Sequence, residues 1–155
     1  MPIPAAGSPA PDFQLPGDDG SPTRLSGFRG QPVVLYFYPK DDTPGCTTEA
    51  CAFRDDTPAY QEAGAVVLGV SPDSVESHRR FKEKYRLPFT LLADEDHRVA
   101  EAYGVWAEKT RGGRTSMGIL RTTFLIGPDG VILRVFNNVR PEGHSQEILG
   151  ALGGS

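Results

Sequence analysis

A chain of 155 residues, 38% hydrophobic and 23% charged, is long enough to bury one core and is expected to form a single domain spanning residues 1–155. Its net charge of -4, with both signs spread along the chain, argues against a nucleic-acid surface, and no stretch approaches the roughly 20 apolar residues of a membrane span. Met1 to Pro11 has no basic residue and no apolar centre, so it does not resemble a secretory signal; a loose N-terminal arm on a cytoplasmic protein is expected.

Phe13–Leu15 and Thr23–Leu25 alternate apolar and polar residues around Pro16-Gly17-Asp18-Asp19-Gly20, which predicts an N-terminal hairpin. Val33 to Tyr38 is a continuous β-branched and aromatic run that stops at Pro39, the signature of a central strand buried on both faces. A helix is predicted from about Pro44 to Arg54, with Thr43 as N-cap and Pro44 at the first helical position. Thr57-Pro58 repeats that start signal for a short helix closed by Gly64.

Ala65–Val70 reads as a second buried strand, parallel to the first. Asp73 with Glu76 marks the next helix start, and Val75, His78, Phe81 and Tyr85 can form its inner face. Phe89–Leu92 is a short strand, followed by a helix capped by Asp94 in which Val99 and Tyr103 face inward. Residues 104–118 carry no clear period. Thr122–Ile126 and Val131–Phe136 flank Gly127-Pro128-Asp129-Gly130 as an antiparallel pair. A last helix from about Pro141 to Leu152 ends in Gly-Gly-Ser. The element order calls for an α/β fold, a mixed central sheet flanked by helices with an N-terminal hairpin.

Both cysteines, Cys46 and Cys51, fall in the helix after the first buried strand. Five steps along an ideal helix give about 7.5 Å of rise and roughly 140° of rotation, so the Cα atoms stand about 8.7 Å apart. A disulfide wants about 4.4–6.8 Å. The two can bond only if the helix unwinds locally. Inert buried thiols remain one reading of the pair. A zinc site would need ligands from His78, His97 and His144, none of which lies near the cysteines or has ligand spacing with another; each reads as a surface or helix-face residue. A redox role gains from the position of Cys46 in the first helical turn, where free N–H groups and the helix dipole favour an anion and therefore a nucleophilic thiolate. Asp41 and Asp42 would oppose a thiolate if they pointed inward, so they are expected to face solvent.

Pro39, Thr43 and Cys46 form Pro-x-x-x-Thr-x-x-Cys, which resembles the active-site signature of peroxiredoxins. The longer run from Phe37 to Cys51, with the second cysteine five residues on, is similar to the PrxQ or bacterioferritin comigratory protein subfamily. Ser71–Ser74, Leu91–Asp94, Tyr103–Trp106, Arg121-x-Thr123-Phe124 and Val139–His144 extend the resemblance over nearly the whole chain.

The resemblance implies a thioredoxin-like fold and a thiol-dependent peroxidase acting on hydrogen peroxide and organic hydroperoxides. Cys46 would be the peroxidatic cysteine, oxidised to a sulfenic acid, and Cys51 the resolving one, closing an intramolecular disulfide. Pro39 would shield the thiolate, Thr43 would hydrogen-bond the peroxide, and Arg121 would supply fixed positive charge. Thioredoxin or a similar dithiol would be the reductant, no metal or other cofactor would be needed, and the protein would be a monomer. Glu49 matches the motif as well; helix surface is its default place. The chain departs from the pattern at Gly112 and Ser116, where relatives usually carry aromatic residues. Two other readings stay open. A general thiol–disulfide oxidoreductase would want Cys-x-x-Cys, and a holdase would want a long exposed apolar stretch.

Overall fold

The computed structural model describes residues 3–153. Met1 and Pro2 of the expected arm, and Gly154 and Ser155 of the terminal tail, lie outside the described residues. The hairpin forms from β1 (Gln14–Pro16) and β2 (Pro22–Arg24), with Leu15 opposite Thr23. Next come β3 (Val33–Phe37), α1 (Pro44–Asp55), α2 (Thr57–Glu62), β4 (Val66–Ser71), α3 (Val75–Tyr85), β5 (Thr90–Ala93) and α4 (Arg98–Ala102). The chain closes with β6 (Trp106–Arg111), β7 (Arg114–Ile119), β8 (Thr122–Ile126), β9 (Ile132–Phe136) and α5 (His144–Gly153).

The central sheet has the order β5-β4-β3-β8-β9. β3 runs parallel to β4, and β4 to β5; β8 is antiparallel to both β3 and β9. The apolar run of β3 is buried throughout because its alternate side chains enter different cores. Val33, Leu35 and Phe37 pack with Val99, Ala100 and Tyr103 on one face. Val34, Tyr36 and Tyr38 pack with Phe53, Tyr60, Phe81 and Ile148 on the other. Helices α1, α2, α3 and α5 therefore cover one face of the sheet and α4 the other, the layering expected from the element order.

Four local expectations need correction. The arm is not loose where it is described. Pro9 bridges Val131, and the N–H groups of Gly7 and Ala10 donate to the carbonyls of Ile132 and Gly130. Further on, Gly17 bridges Leu92 on β5, and Asp18 accepts the Leu91 N–H at 2.8 Å and the Lys82 ammonium at 3.1 Å. Secondly, α3 is capped by Ser74, whose hydroxyl accepts the Ser77 N–H, rather than by Asp73. Thirdly, the segment without a readable period is a two-stranded hairpin, β6 with β7. Its turn residues Gly112 and Gly113 have φ of +56° and +79°, which a two-residue hairpin turn requires. Ser116 is exposed on β7. Fourthly, His97 rather than Asp94 is the N-cap residue of α4, but the Asp94 carboxylate still closes the helix start by accepting from the N–H groups of Val99 and Ala100.

Candidate active site

The first turn of α1 is assembled as its sequence suggests. Thr43 has extended N-cap geometry, Pro44 occupies the first position, and no acidic residue stands in the first turn. Cys46 is the third residue of the helix and is 1% exposed. The buried positions Cys46, Glu49, Ala50 and Phe53 share one face at helical spacing. Cys51 is half-buried, and both thiols are free. The intact helix thus keeps apart two cysteines whose spacing forbids a bond. The Thr43 hydroxyl makes no cap hydrogen bond; it donates to the Lys40 carbonyl at 2.9 Å. That geometry consumes its proton and leaves its lone pairs free to accept. Half-buried Pro39 lies just beyond β3 and leads into the turn that carries Thr43.

Arg121, immediately before β8, brings the distant half of the chain to this helix start. Its Nη2 donates to Cys46 Sγ at 3.3 Å and its Nη1 donates to Glu49 Oε1 at 2.7 Å. Gly45 makes room for it: a β-carbon there would lie 3.3 Å from Nη2. The Arg121 carbonyl in turn accepts the Val139 N–H at 3.1 Å, so the loop after β9 is tied to the Arg121 backbone.

Glu49 is not on the helix surface. It is 1% exposed, and burial pushes its carboxyl up to about 7 although the guanidinium pulls the other way. Burial alone would lower Arg121; the Glu49 carboxyl and the Cys46 sulfur outweigh it and hold the guanidinium above its ordinary value. A buried ion pair of this kind is costly to break from one side, by about 3–5 kcal/mol.

Asp41 also departs from expectation. Asp42 is exposed, but Asp41 is 8% exposed and its carboxylate points into the protein, toward α3. Of the histidines, His78 is fully buried on the inner face of α3 and His144 is buried at the start of α5, between Thr123 and Glu147. Burial lowers the affinity of the His144 ring for a second proton. His97 alone is partly exposed, stacked on Trp106 at 3.9 Å.

The structure therefore brings Arg121 into direct contact with both Cys46 and Glu49 and places Thr43 at the helix cap. Sequence reasoning left Glu49 without a role, yet its three-residue spacing from Cys46 and four-residue spacing to buried Phe53 was an available signal for the inner face. A thiol at a helix start, flanked by a fixed cation and a free hydroxyl acceptor, can hold a negative sulfur and grip a small oxygen-rich electrophile. Fold and site together define a thiol-based redox protein.

Comparison with known proteins narrows that class. Residues 6–135 match the AhpC/TSA family. The chain is 54% identical to a protein named putative peroxiredoxin bcp from Coxiella burnetii, over 94% of this chain and 97% of that one. It is 51% identical to peroxiredoxin Bcp of Bacillus subtilis, over 94% and 93%. Among solved structures, a cysteine-to-serine variant of Xylella fastidiosa PrxQ superposes with a TM-score of 0.92 at 37% identity, over 98% of this chain and 96% of that one. The Xanthomonas campestris bacterioferritin comigratory protein, described in terms of alkyl peroxide reduction, superposes with a TM-score of 0.87 at 40% identity, over 92% and 90%. The chain belongs to the AhpC/TSA family and is a peroxiredoxin of the Bcp/PrxQ kind. Its activity is that of a thiol peroxidase, with a peroxide as substrate and a thiol as reductant. No described helix is long and apolar enough to cross a membrane.

Proposed function

We propose that Cys46 is the peroxidatic cysteine and that it reduces hydrogen peroxide and organic hydroperoxides in a cycle closed by Cys51. The Cys46 thiolate attacks one oxygen of the O–O bond. A sulfur–oxygen bond forms, the O–O bond breaks, and the remaining oxygen leaves as hydroxide or alkoxide and takes up a proton. Cys46 is then a sulfenic acid. Arg121 and the N–H groups of the first turn of α1 stabilise the charge that develops on sulfur and oxygen. The lone pairs of Thr43 accept the peroxide O–H, and Pro39 keeps water from the sulfur.

Resolution requires α1 to unwind, because the intact helix holds the two sulfurs apart. The Cys51 thiol then displaces water from the sulfenic sulfur, giving a disulfide. A dithiol such as thioredoxin reduces that disulfide by exchange, taking the two oxidising equivalents with it. A cytoplasmic setting, where dithiol reductants are maintained, suits the last step.

The observation that supports this reading most directly is the 3.3 Å contact from Arg121 Nη2 to Cys46 Sγ. Stopped-flow mixing of reduced protein with hydrogen peroxide tests it. Wild type consumes one equivalent in a fast phase, and Cys46→Ser has none; a Cys46→Ser protein that consumed peroxide at the wild-type rate would remove the assignment.

A further inference from the structure

The turn that joins Pro39 to Thr43 is fastened to α3 by a buried cluster with no place in the steps above. Asp41 lies midway along it. Asp41 Oδ1 accepts the Tyr38 hydroxyl at 2.6 Å, and Oδ2 accepts the Ser77 hydroxyl at 2.8 Å and stands 2.7 Å from Nδ1 of His78. The Asp41 N–H donates to Asp73 Oδ2 at 2.8 Å. Burial holds the Tyr38 phenol far above its ordinary value, so it acts as a donor. The next residue, Asp42, has a left-handed φ of 58° and binds the other end of α3, through Lys84 at 2.7 Å and the Tyr85 hydroxyl at 2.8 Å.

The surroundings of His78 fix its ring in place. It is wholly buried, and Nε2 lies 2.9 Å from the Leu92 carbonyl oxygen, which can only accept. Nδ1 faces a carboxylate oxygen. The ring is therefore held at both nitrogens, by the Asp41 carboxylate and the Tyr38 hydroxyl on one side and by the Leu92 carbonyl on the other. The bond between them is charge-assisted, the stronger kind. Asp41, Asp73 and His78 present donor atoms within 4.8 Å of one another, but both ring nitrogens are already engaged, so the cluster is a clamp and not an open ligand set.

We propose that Asp41 and His78 are positioning residues of the peroxidase site, holding the 39–43 turn on α3 and thereby setting where Pro39 and the Thr43 hydroxyl stand relative to Cys46. The inference rests on the reading in which Cys46 attacks the peroxide and Thr43 orients it. The Thr43 hydroxyl is aimed by its bond to the Lys40 carbonyl, and Lys40 is the residue before the clamped Asp41. A misplacement of about 1 Å in an orienting group is enough to cost on the order of 100-fold in rate. An alkylating reagent such as iodoacetamide needs the Cys46 sulfur but no peroxide-orienting hydroxyl, so it should not register the loss.

The test measures two rate constants at one pH, Cys46 with hydrogen peroxide and Cys46 with iodoacetamide, in wild type, Asp41→Ala, His78→Phe and Asp41→Asn. The expected result is a fall of about tenfold or more in the peroxide constant for the Ala and Phe variants, with alkylation changed by less than about twofold. Asp41→Asn keeps the shape and places an amide within hydrogen-bond distance of His78 Nδ1, so it should restore most of the peroxide rate. If the two constants fall in proportion, or neither falls, the positioning role is wrong. Should both disruptive variants fail to fold, Tyr38→Phe decides by the same ratio, since it removes one hydroxyl from the clamp and keeps the ring. Peroxide consumption that persists in Cys46→Ser would instead overturn the underlying reading, and that outcome is seen with residues 41 and 78 unchanged.

Discussion

Gly45 and Arg121 fit against each other so closely that a β-carbon on Gly45 would sit 3.3 Å from the guanidinium Nη2. That distance is tight for a carbon, and the guanidinium is the movable partner. Gly45→Ala should therefore displace Arg121 from the Cys46 sulfur without unfolding anything. Alanine is the better helix former by up to about 1 kcal/mol. The expected outcome is a melting temperature at or slightly above wild type, with a peroxide rate constant lower by about tenfold. Thermal unfolding and stopped-flow kinetics on the same preparation check both halves.

Arg121 itself can be probed by charge and by shape. Arg121→Lys keeps a cation but loses the fork that reaches sulfur and carboxylate together. It should slow the peroxide reaction by about 100-fold, the usual cost of one oxyanion donor. Arg121→Met removes the charge and should be slower still, and it should also lose stability because Glu49 is left buried alone. Rapid-mixing kinetics and chemical denaturation separate the two effects.

For Cys51→Ser, the first oxidation should proceed within about twofold of wild type, and the sulfenic acid should then accumulate. Dimedone labelling followed by mass measurement detects it as an adduct on Cys46. Turnover with thioredoxin should fall by about 100-fold or more, since no second thiol of this chain is left to form the disulfide.

Glu49 gives the protein a pH dependence of definite sign. Burial pushes its carboxyl up to about 7 in the fold, against an ordinary value of about 4.5 in the unfolded chain. The folded state therefore holds the proton more tightly than the unfolded chain does. The associated stability is fully present below about pH 4.5 and is lost as pH rises to about 7, by at most roughly 3 kcal/mol. In Glu49→Gln this loss should vanish. The difference between the wild-type and Glu49→Gln unfolding free energies, followed from pH 4 to pH 8, isolates the effect from carboxyls such as Asp94 that both proteins share.

Much of this was legible because the signals are local. The β3 run, the Thr43–Pro44 helix start and the turn at Gly127–Gly130 each carry their own punctuation, and they place Cys46 at a helix N-terminus before any tertiary contact is known. Two aspects escaped. Asp41 and Glu49 are charged residues whose burial depends on partners 37 and 72 positions away, His78 and Arg121; helical spacing turned Glu49 inward, but nothing in the neighbouring sequence names either partner. The β6–β7 hairpin escaped for a different reason. Most of β7 is exposed, so it has no apolar alternation to read, and only Gly112-Gly113 hints at the turn.

The tethering of residues 7–18 bears on how the molecule behaves among its own copies. β5 and β9 are the two outer strands of the central sheet, and outer strands are templates for unwanted strand addition. The N-terminal segment occupies both, at Val131 beside the start of β9 and at Leu92 on β5. A proteolytic nick or an engineered truncation in this stretch would leave catalytic chemistry formally intact while uncovering two sticky margins. Residues 7–18, which contribute no group to the redox site, thus shield both outer strands of the sheet.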